Sequence, residues 1–366
     1  MGIKNLNKFL RDQCPGVFRK THLSQFGFKK IAIDISLYLH KFKAIAGERW
    51  LAAFLNLVSC LRRNNIHCVF VFDGKAPVEK DHEREKRRME REKLEKSIFE
   101  LQEAVDVYEK TGVVSEILVK LWERRRSPRR LLGSQDPVDM EWVIEKVKQK
   151  GNQLISIFPQ DYETAKELFS ILEIPCITAP GEAEKMCSKL CIDGKVDAVL
   201  SEDTDVIAYG TPIFLTKIDT NSDTVVVLTN SEIREALDFS YEQLLDLCIM
   251  CGTDYNTNIF RIGAHKSYKK LQTYGNIEGI EAHDTVDTSI LKYKNVRKLF
   301  TEFNDFCDIA IPYCGTPNHK KLLHFINYHK IWYDNRRSNE ENKISIEKRL
   351  ESLTGDFTTN ILVFEE

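Results

Sequence analysis

The chain has 366 residues, 42% of them hydrophobic, with 53 lysines and arginines against 55 aspartates and glutamates. That length and apolar content exclude a disordered chain and suit one large α/β domain with an appendage, or two domains. The nearly cancelling charge gives no global signal for a polyanion partner, so any nucleic-acid surface has to be a local patch.

At the start, Met1-Gly-Ile-Lys-Asn-Leu6 lacks the apolar core of a signal peptide, and Leu6 stands where a myristoylation signal carries Ser or Thr. No apolar stretch is read as approaching the ~20 residues that cross a bilayer, so a soluble chain with no membrane partner is expected. A short helix is expected from Leu6 to Leu10, then a strand over 31–36, one helix from Leu37 to Asn64 and a strand over 68–73. Both strands are unbroken apolar runs, as parallel strands covered on both faces are. Each delivers a carboxylate: Asp34 in Ile31-Ala-Ile-Asp34 and Asp73 in Val69-Phe-Val-Phe-Asp73.

From Lys80 to about Val107 the chain turns into charged, helix-forming sequence, and residues 80–96 hold eight basic against six acidic side chains. A solvated helix laced with ion pairs is the plain reading of such a run. The basic excess, the arginines at 124, 125, 126, 129 and 130, and the position just after Asp73 favour a phosphate-facing element.

Thr178-Ala-Pro-Gly-Glu182-Ala-Glu184-Lys reads as the opening of a helix, with Pro180 and Gly181 at its start and both acids in its first turn, where the helix dipole alone favours them. Two residues apart, the acids cannot share a face, so one is free to bind a metal directly while the other acts through water. A third buried strand, Asp197-Ala-Val-Leu-Ser, leads into Glu202-Asp203-Thr-Asp205, and the apolar run Leu247-Cys-Ile-Met-Cys-Gly-Thr leads to Asp254. Strands alternating with helices argue for a parallel sheet with right-handed crossovers, whose ligands bind beyond the carboxyl ends of the strands. Acids gathered there raise one another's pKa unless a cation lies between them, and a pair of divalent metals is the expected cation.

Between Ile259 and Lys266, Gly263 separates two helical stretches and lets backbone N–H groups approach a phosphate, with Lys266, Lys269 and Lys270 nearby; a simple packing turn is the alternative. The ten cysteines sit mostly among apolar neighbours, as reduced thiols do. Cys187 with Cys191 and Cys248 with Cys251 have the spacing of a zinc site, against core packing as the plainer reading. Past residue 280 a turn-rich tract, Ile311 to Pro317, leads to an aromatic helical remainder containing Phe325, Tyr328, Trp332 and Tyr333. No Walker-type phosphate loop or internal repeat occurs.

Six stretches carry a resemblance: Met1-Gly-Ile-Lys-Asn-Leu-Asn-Lys-Phe-Leu10, Ile31-Ala-Ile-Asp34-Ile-Ser, Val71-Phe-Asp73-Gly-Lys-Ala-Pro77, Ala179-Pro-Gly-Glu182-Ala-Glu184, Ser201-Glu-Asp203-Thr-Asp205 and Gly252-Thr-Asp254-Tyr. In their order, over roughly the first 270 residues, the chain resembles the flap endonucleases, structure-specific 5′ nucleases of the XPG type. Within that family the likeness is to the poxvirus-encoded branch, which implies the host-cell cytoplasm. The resemblance implies a PIN-like α/β core: a parallel-rich twisted sheet flanked by helices, with a helical arch and a helix-two-turn-helix. It divides the chain into an N-terminal nuclease region (1–104), a divergent arch or insert (105–153), an internal nuclease region (154–279) and a C-terminal helical extension (280–366).

Carried over by position, the resemblance implies that Asp34, Asp73, Glu182, Glu184, Asp203, Asp205 and Asp254 bind two Mg²⁺ ions, or Mn²⁺ in their place. It implies that Lys80 and Arg87 act on the scissile phosphate from the base of the arch. It places Gly2 near the active site, and His40, where flap endonucleases have a tyrosine, against the terminal base. Arg84, Arg88, Arg261, Gly263, Lys266, Lys269 and Lys270 become DNA contacts. The helix-two-turn-helix of the family often holds K⁺; Arg261-Ile-Gly-Ala-His265 departs from the usual Gly-Ile-Gly-Pro and leaves that site open. The implied activity is metal-dependent 5′ flap endonuclease and 5′ exonuclease cleavage of flapped, nicked, gapped or branched DNA in replication, repair and recombination, with proteins of those processes as partners. Phe357 to Glu366 carries no recognisable sliding-clamp box. A four-way-junction resolvase of the same family, a non-catalytic DNA-binding scaffold and a PIN-type ribonuclease are the alternatives.

Overall fold

The computed structural model describes residues 2–75, 77–123, 138–151, 154, 156–303, 309–333, 338–351 and 353. The arginines at 124–130 and the C-terminal segment 357–366, with the readings made of them, lie outside the described residues.

Seven strands form one sheet: β1 (Arg19–His22), β2 (Lys30–Asp34), β3 (His67–Phe72), β4 (Cys176–Thr178), β5 (Ala198–Leu200), β6 (Ile213–Asp219) and β7 (Thr224–Thr229), in the order β1-β7-β6-β5-β2-β3-β4. The run β6-β5-β2-β3-β4 is parallel, and β7 is antiparallel to both its neighbours, β6 and β1. The expected parallel-rich α/β sheet is therefore present. Alternate residues explain why its central strands read as continuous apolar runs. Along β3, Val69 and Val71 enter the core on one face while Cys68, Phe70 and Phe72 enter the core on the other. On the second face, the rings of Phe70 and Phe169 stack with centroids 4.0 Å apart.

Register sets where the strands stop. Ile33 is level with Phe70 and Leu200, and Phe72 is level with Thr178, so β2, β3, β4 and β5 release their chains along one rim. The strand expected over 31–36 ends at Asp34, because the Asp34 carboxylate accepts hydrogen bonds from the Ser36 and Leu37 N–H groups and caps the Ile35–Ala46 helix. The single helix expected from Leu37 to Asn64 is two helices, Ile35–Ala46 and Trp50–Arg63, interrupted at Gly47, whose φ of 55° ends the first. This corrects the membrane reading. Ile35–Arg63 is long and apolar enough to span a bilayer by composition, but it is broken into two and half of its most apolar window packs inside the protein.

The charged stretch forms one long helix, Asp81–Thr111, and the boundary expected at residue 104 falls inside it. Its first turns are exposed, while Leu101, Ala104 and Val105 form a small separate core with Leu118, Met140, Val143 and Val147. The boundary expected at 279 falls inside the Ile277–His283 helix. Beyond it, Leu322, Phe325, Ile326, Ile346 and Leu350 join the main core, so the C-terminal helices belong to the same body. The four cysteines with zinc-like spacing are all buried within the apolar core on the other face, as plain packing requires.

Candidate active site

The rim at the carboxyl ends of β2 to β5 gathers the acids. Asp34 ends β2 and is 3% exposed. Asp73 follows β3 directly, and its Oδ1 accepts a hydrogen bond of 2.8 Å from the Ala183 N–H, tying it to the first turn of the Ala183–Ile192 helix. The Gly74 N–H donates to Gly181 O at 2.7 Å and holds the two loops together. Glu182 stands at the N-cap position of that helix, its carboxylate turned to other partners, and Glu184 lies in its first turn. Asp203 and Asp205 follow β5, where Asp203 Oδ1 accepts from the Asp205 N–H at 2.9 Å. Asp254 lies in the loop after the Tyr241–Cys251 helix.

The acids divide into two groups. Glu182 and Asp254 are paired with cations: Lys80 Nζ lies 2.5 Å from Glu182 Oε1 and 3.2 Å from Asp254 Oδ2, and the Arg87 guanidinium donates to Asp254 Oδ1 at 2.8 Å. Burial disfavours the Lys80 ammonium, but Glu182, Tyr255, Glu184 and Asp205 outweigh it and raise the pKa. Burial likewise works against the Arg87 charge, and Asp254 with Glu83 overcomes it. Asp34, Glu184, Asp203 and Asp205 form the other group. Burial first, and then neighbouring acids, raise the pKa of each above the ordinary carboxylate range. Asp205 is 1% exposed, and its Oδ1 has no hydrogen-bond partner among the described residues.

The N-terminal segment closes one side of the cluster. Gly2 has φ +79°, and a Cβ there would stand 1.9 Å from Asp203 Oδ1 and 2.7 Å from Asp205 Oδ1, so only glycine lets the chain lie against these carboxylates. The Ile3 N–H donates to Thr204 Oγ1 at 2.9 Å, and the Lys4 N–H donates to Gly252 O at 3.0 Å. His40 is exposed on the Ile35–Ala46 helix. Partial burial of its ring lowers its pKa, Asp73 opposes the shift, and Arg91 and Arg87 add to it, which places the ring on the same side as the cluster.

Other expected contacts are placed differently. Arg84 and Arg88 lie on the exposed side of the long helix, paired with Asp81, Glu85 and Glu92 of the same helix, and do not reach the acids. Arg261, Gly263, Lys266 and Lys269 are exposed at and after the turn that starts the Ala264–Tyr274 helix. Lys270 is half-buried, and its ammonium forms an ion pair with Asp284.

Three residues escaped the sequence reading. Tyr209 and Tyr255 both donate to Glu182 Oε2, the former at 3.2 Å, and fix the carboxylate that holds Lys80. Tyr209 follows the apolar run Val206-Ile-Ala208, where an aromatic residue signals core packing; Tyr255 stands in a polar loop, and only its place next to Asp254 hinted at more. Arg91 lies four residues beyond Arg87, near His40, and donates to Ser156 Oγ at 3.1 Å; within so charged a run nothing local singles it out.

The donor set is entirely oxygen, which suits hard divalent cations of the Mg²⁺ or Mn²⁺ kind. The raised carboxyl pKa values and the orphaned Asp205 oxygen fit a bound cation among Asp34, Glu184, Asp203 and Asp205. Among the described residues, no three Asp, Glu, His or Cys side chains already stand as a ready-made single-ion site.

Two family models match the chain: the XPG N-terminal domain over residues 1–94 and the XPG I-region over residues 173–254. A probable RAD2-like endonuclease of Invertebrate iridescent virus 3 is 32% identical over 329 residues, covering 82% of this chain and 85% of that protein. Flap endonuclease 1 of Zea mays is 30% identical over 347 residues, covering 89% and 82%. The chain belongs to the XPG family of RAD2-like and flap endonucleases. Among solved structures, the catalytic core of Rad2 in complex with DNA substrate superposes with a TM-score of 0.63 at 18% identity, over 96% of this chain and all (100%) of that one. Flap endonuclease-1 from Methanococcus jannaschii gives 0.58 at 21% identity, over 92% and 96%. These two likenesses establish the fold. The viral relative is iridoviral, so the poxvirus affinity expected from the sequence gains no support from it, whereas the family assignment holds.

Proposed function

We propose that this protein is a divalent-metal-dependent, structure-specific nuclease that hydrolyses phosphodiester bonds in flapped or branched DNA. The observation that carries the reading is the convergence of seven carboxylates from separate elements on one rim of the sheet, with Lys80 and Arg87 reaching into them from the base of the long helix. Asp34, Glu184, Asp203 and Asp205, with Asp73 beside them, would hold the metal. Two ions would activate water and neutralise charge on the leaving oxygen. Lys80 and Arg87 would meet the phosphate, exchanging their bonds to Glu182 and Asp254 for bonds to substrate and stabilising the charge that builds in the transition state. Gly2 keeps the approach to Asp203 and Asp205 narrow, and His40 is available to stack on a terminal base. The nine described cysteines are free thiols, which supports the reducing interior of a host cell as the compartment.

The test is cleavage of end-labelled single-flap, double-flap, nicked and four-way-junction DNA with Mg²⁺, beside an Asp203→Asn/Asp205→Asn variant. Incision near the flap base by the wild type alone supports the reading. Paired symmetric incisions of the four-way junction would move it to a junction resolvase, and intact DNA in every lane, with a control nuclease active, would overturn it.

A further inference from the structure

One pair of thiols, far from the carboxylate rim, is brought together by the fold. Residues 309–318 carry no helix or strand and run as a strap across the end of the sheet away from the acids, where β2 and β3 begin. Lys30 Nζ donates to Ile311 O at 2.6 Å, the Gly315 N–H to Glu173 O at 2.8 Å and the Asn318 N–H to Ile171 O at 3.1 Å. The buried Arg62 guanidinium holds Gly315 O and, at 3.0 Å, Leu353 O. In the middle of the strap, Cys314 lies on the first two residues of β3. Its N–H donates to His67 Nδ1 at 3.2 Å and its thiol to Cys68 O at 3.2 Å. The Cys314 and Cys68 thiols are also hydrogen-bonded to each other.

This pair differs from cysteines that only fill the core. Its members are 246 residues apart in the chain, whereas Cys187 with Cys191 and Cys248 with Cys251 each share one helix. Among the nine described cysteines Cys314 is the one whose pKa is lowered, first by its hydrogen bond with Cys68; the other eight are raised. The nucleophilic sulfur of the pair is therefore that of Cys314. Solvent is close by: Tyr313 is 55% exposed, and Cys176 on the edge strand β4 is exposed. Cys314 itself is 7% exposed, but its strap belongs to no ladder or helix, so a local opening admits a small reagent while the sheet stays folded. Among the described residues no three His, Cys, Asp or Glu side chains could hold a metal, which leaves the two sulfurs to each other.

We propose that Cys68 and Cys314 are a reversible dithiol–disulfide pair: a hydroperoxide oxidises them, and the bond fastens the strap to β3 until a thiol reductant releases it. The Cys314 thiolate attacks one peroxide oxygen, the O–O bond breaks and hydroxide leaves, giving a sulfenic acid. The Cys68 sulfur then attacks the Cys314 sulfur. The S–S bond forms, the S–O bond breaks, and the Cys68 proton departs with the hydroxyl group as water. The two thiols lose two electrons and the peroxide gains them. The bond closes the chain between residues 68 and 314, a span that holds every carboxylate of the rim except Asp34.

The test uses the full chain, reduced and then treated with hydrogen peroxide at neutral pH. Remaining thiols are blocked in guanidinium, and the digest is read by mass spectrometry without reductant. A linked peptide joining Cys68 to Cys314 is expected, absent before peroxide and absent again after dithiothreitol. The cross-link confines the unfolded chain, so oxidation raises the melting temperature by about 5 °C and dithiothreitol returns it. Cys314→Ser loses both the linked peptide and the rise; Cys176→Ser keeps both. The linked peptide is read in the unsubstituted chain, so a variant that fails to fold leaves that result intact. Recovery of Cys68 and Cys314 as blocked thiols overturns the pairing, as does linkage of Cys314 to Cys176 in its place. A link that forms equally in protein unfolded by urea before peroxide overturns it too, and a linked protein that melts with the reduced one overturns the fastening.

Discussion

Two buried acids in this molecule have opposite circumstances. Asp246, 0% exposed, receives two hydrogen bonds of 2.7 Å from the Arg297 guanidinium and one of 3.1 Å from the Ile277 N–H; the same guanidinium also binds Glu278. Asp205, 1% exposed, stands among Asp203, Glu182 and Asp254 with an oxygen that nothing partners among the described residues. Both lose solvation, but only Asp246 is repaid with a full set of local bonds. The difference teaches that the first acid serves the fold and the second is kept at the fold's expense for something that binds.

Substitution separates them most sharply. Asp205→Asn lowers DNA cleavage by more than about a hundredfold, as the removal of a group that stabilises transition-state charge does. It also raises the melting temperature in EDTA, because it removes a buried charge without removing a bond. Asp246→Ala does the reverse: it leaves Arg297 half unpaired and costs about 2–3 kcal/mol, discounted because Arg297 is partly exposed, while cleavage per folded molecule is retained. Cleavage assays and thermal melts of the two variants side by side check this; a stability loss in Asp205→Asn would break the comparison.

Tyr255→Phe sharpens it within the site. The hydroxyl donates to the carboxylate that positions Lys80, so its loss lowers kcat about tenfold, the worth of one hydrogen bond to a charged group, with little change in stability. A kcat within twofold of wild type would reduce Tyr255 to packing.

The pH response separates the two regions at Glu278 and not at Asp246, whose carboxyl is raised by burial against the pull of Arg297, as the acids of the site are raised. Asp34, Glu184, Asp203 and Asp205 have raised pKa values, burial being the first cause. Such groups hold their protons more tightly folded than unfolded. Their contribution to stability is complete below the ordinary values of 3.8 and 4.5 and is lost as pH rises through the raised folded values. Glu278 is lowered, first by its bond to Arg297, so its contribution is present above 4.5 and is lost as pH falls. In EDTA the contribution of these acids to the melting temperature therefore declines as pH rises above the ordinary carboxylate range. Mg²⁺ or the Asp203→Asn/Asp205→Asn pair flattens the decline, and Glu278→Gln leaves it in place. A flat profile in EDTA would show that the cluster is relieved without a cation.

The acid-bearing strands were legible because burial on both faces turns them into continuous apolar runs, and a carboxylate at the end of such a run stands out. The convergence of Asp34, Asp73, Asp203 and Asp205 followed from the parallel sheet. What the residues did not announce depends on distant partners. Nothing near Tyr209 separates a tyrosine that binds Glu182 from one that fills the core. The break at Gly47 was hidden because the helix-forming residues on either side read as one helix. The antiparallel β7 lies outside the acid-bearing strands and left no mark on the pattern that revealed them. For Lys270, proximity to Gly263 suggested a phosphate contact, and nothing local announced its ion pair with Asp284, fourteen residues on.

The smallest effect extends the comparison from charge to backbone. Arg261 keeps a left-handed φ of +60° at an exposed turn, where a side chain costs about 1 kcal/mol and glycine costs nothing. Arg261→Gly relieves that cost but gives the unfolded chain more freedom, which returns roughly half of the gain. The net stabilisation is about 0.5 kcal/mol, and the melting temperature rises by about 1–2 °C. If Arg261 is retained for DNA, the same variant binds flapped duplex more weakly while folding more firmly, so stability and affinity move in opposite directions as they do at Asp205. A variant that gains in both, or loses in both, would place this turn with Asp246, among the parts of the molecule that serve only the fold.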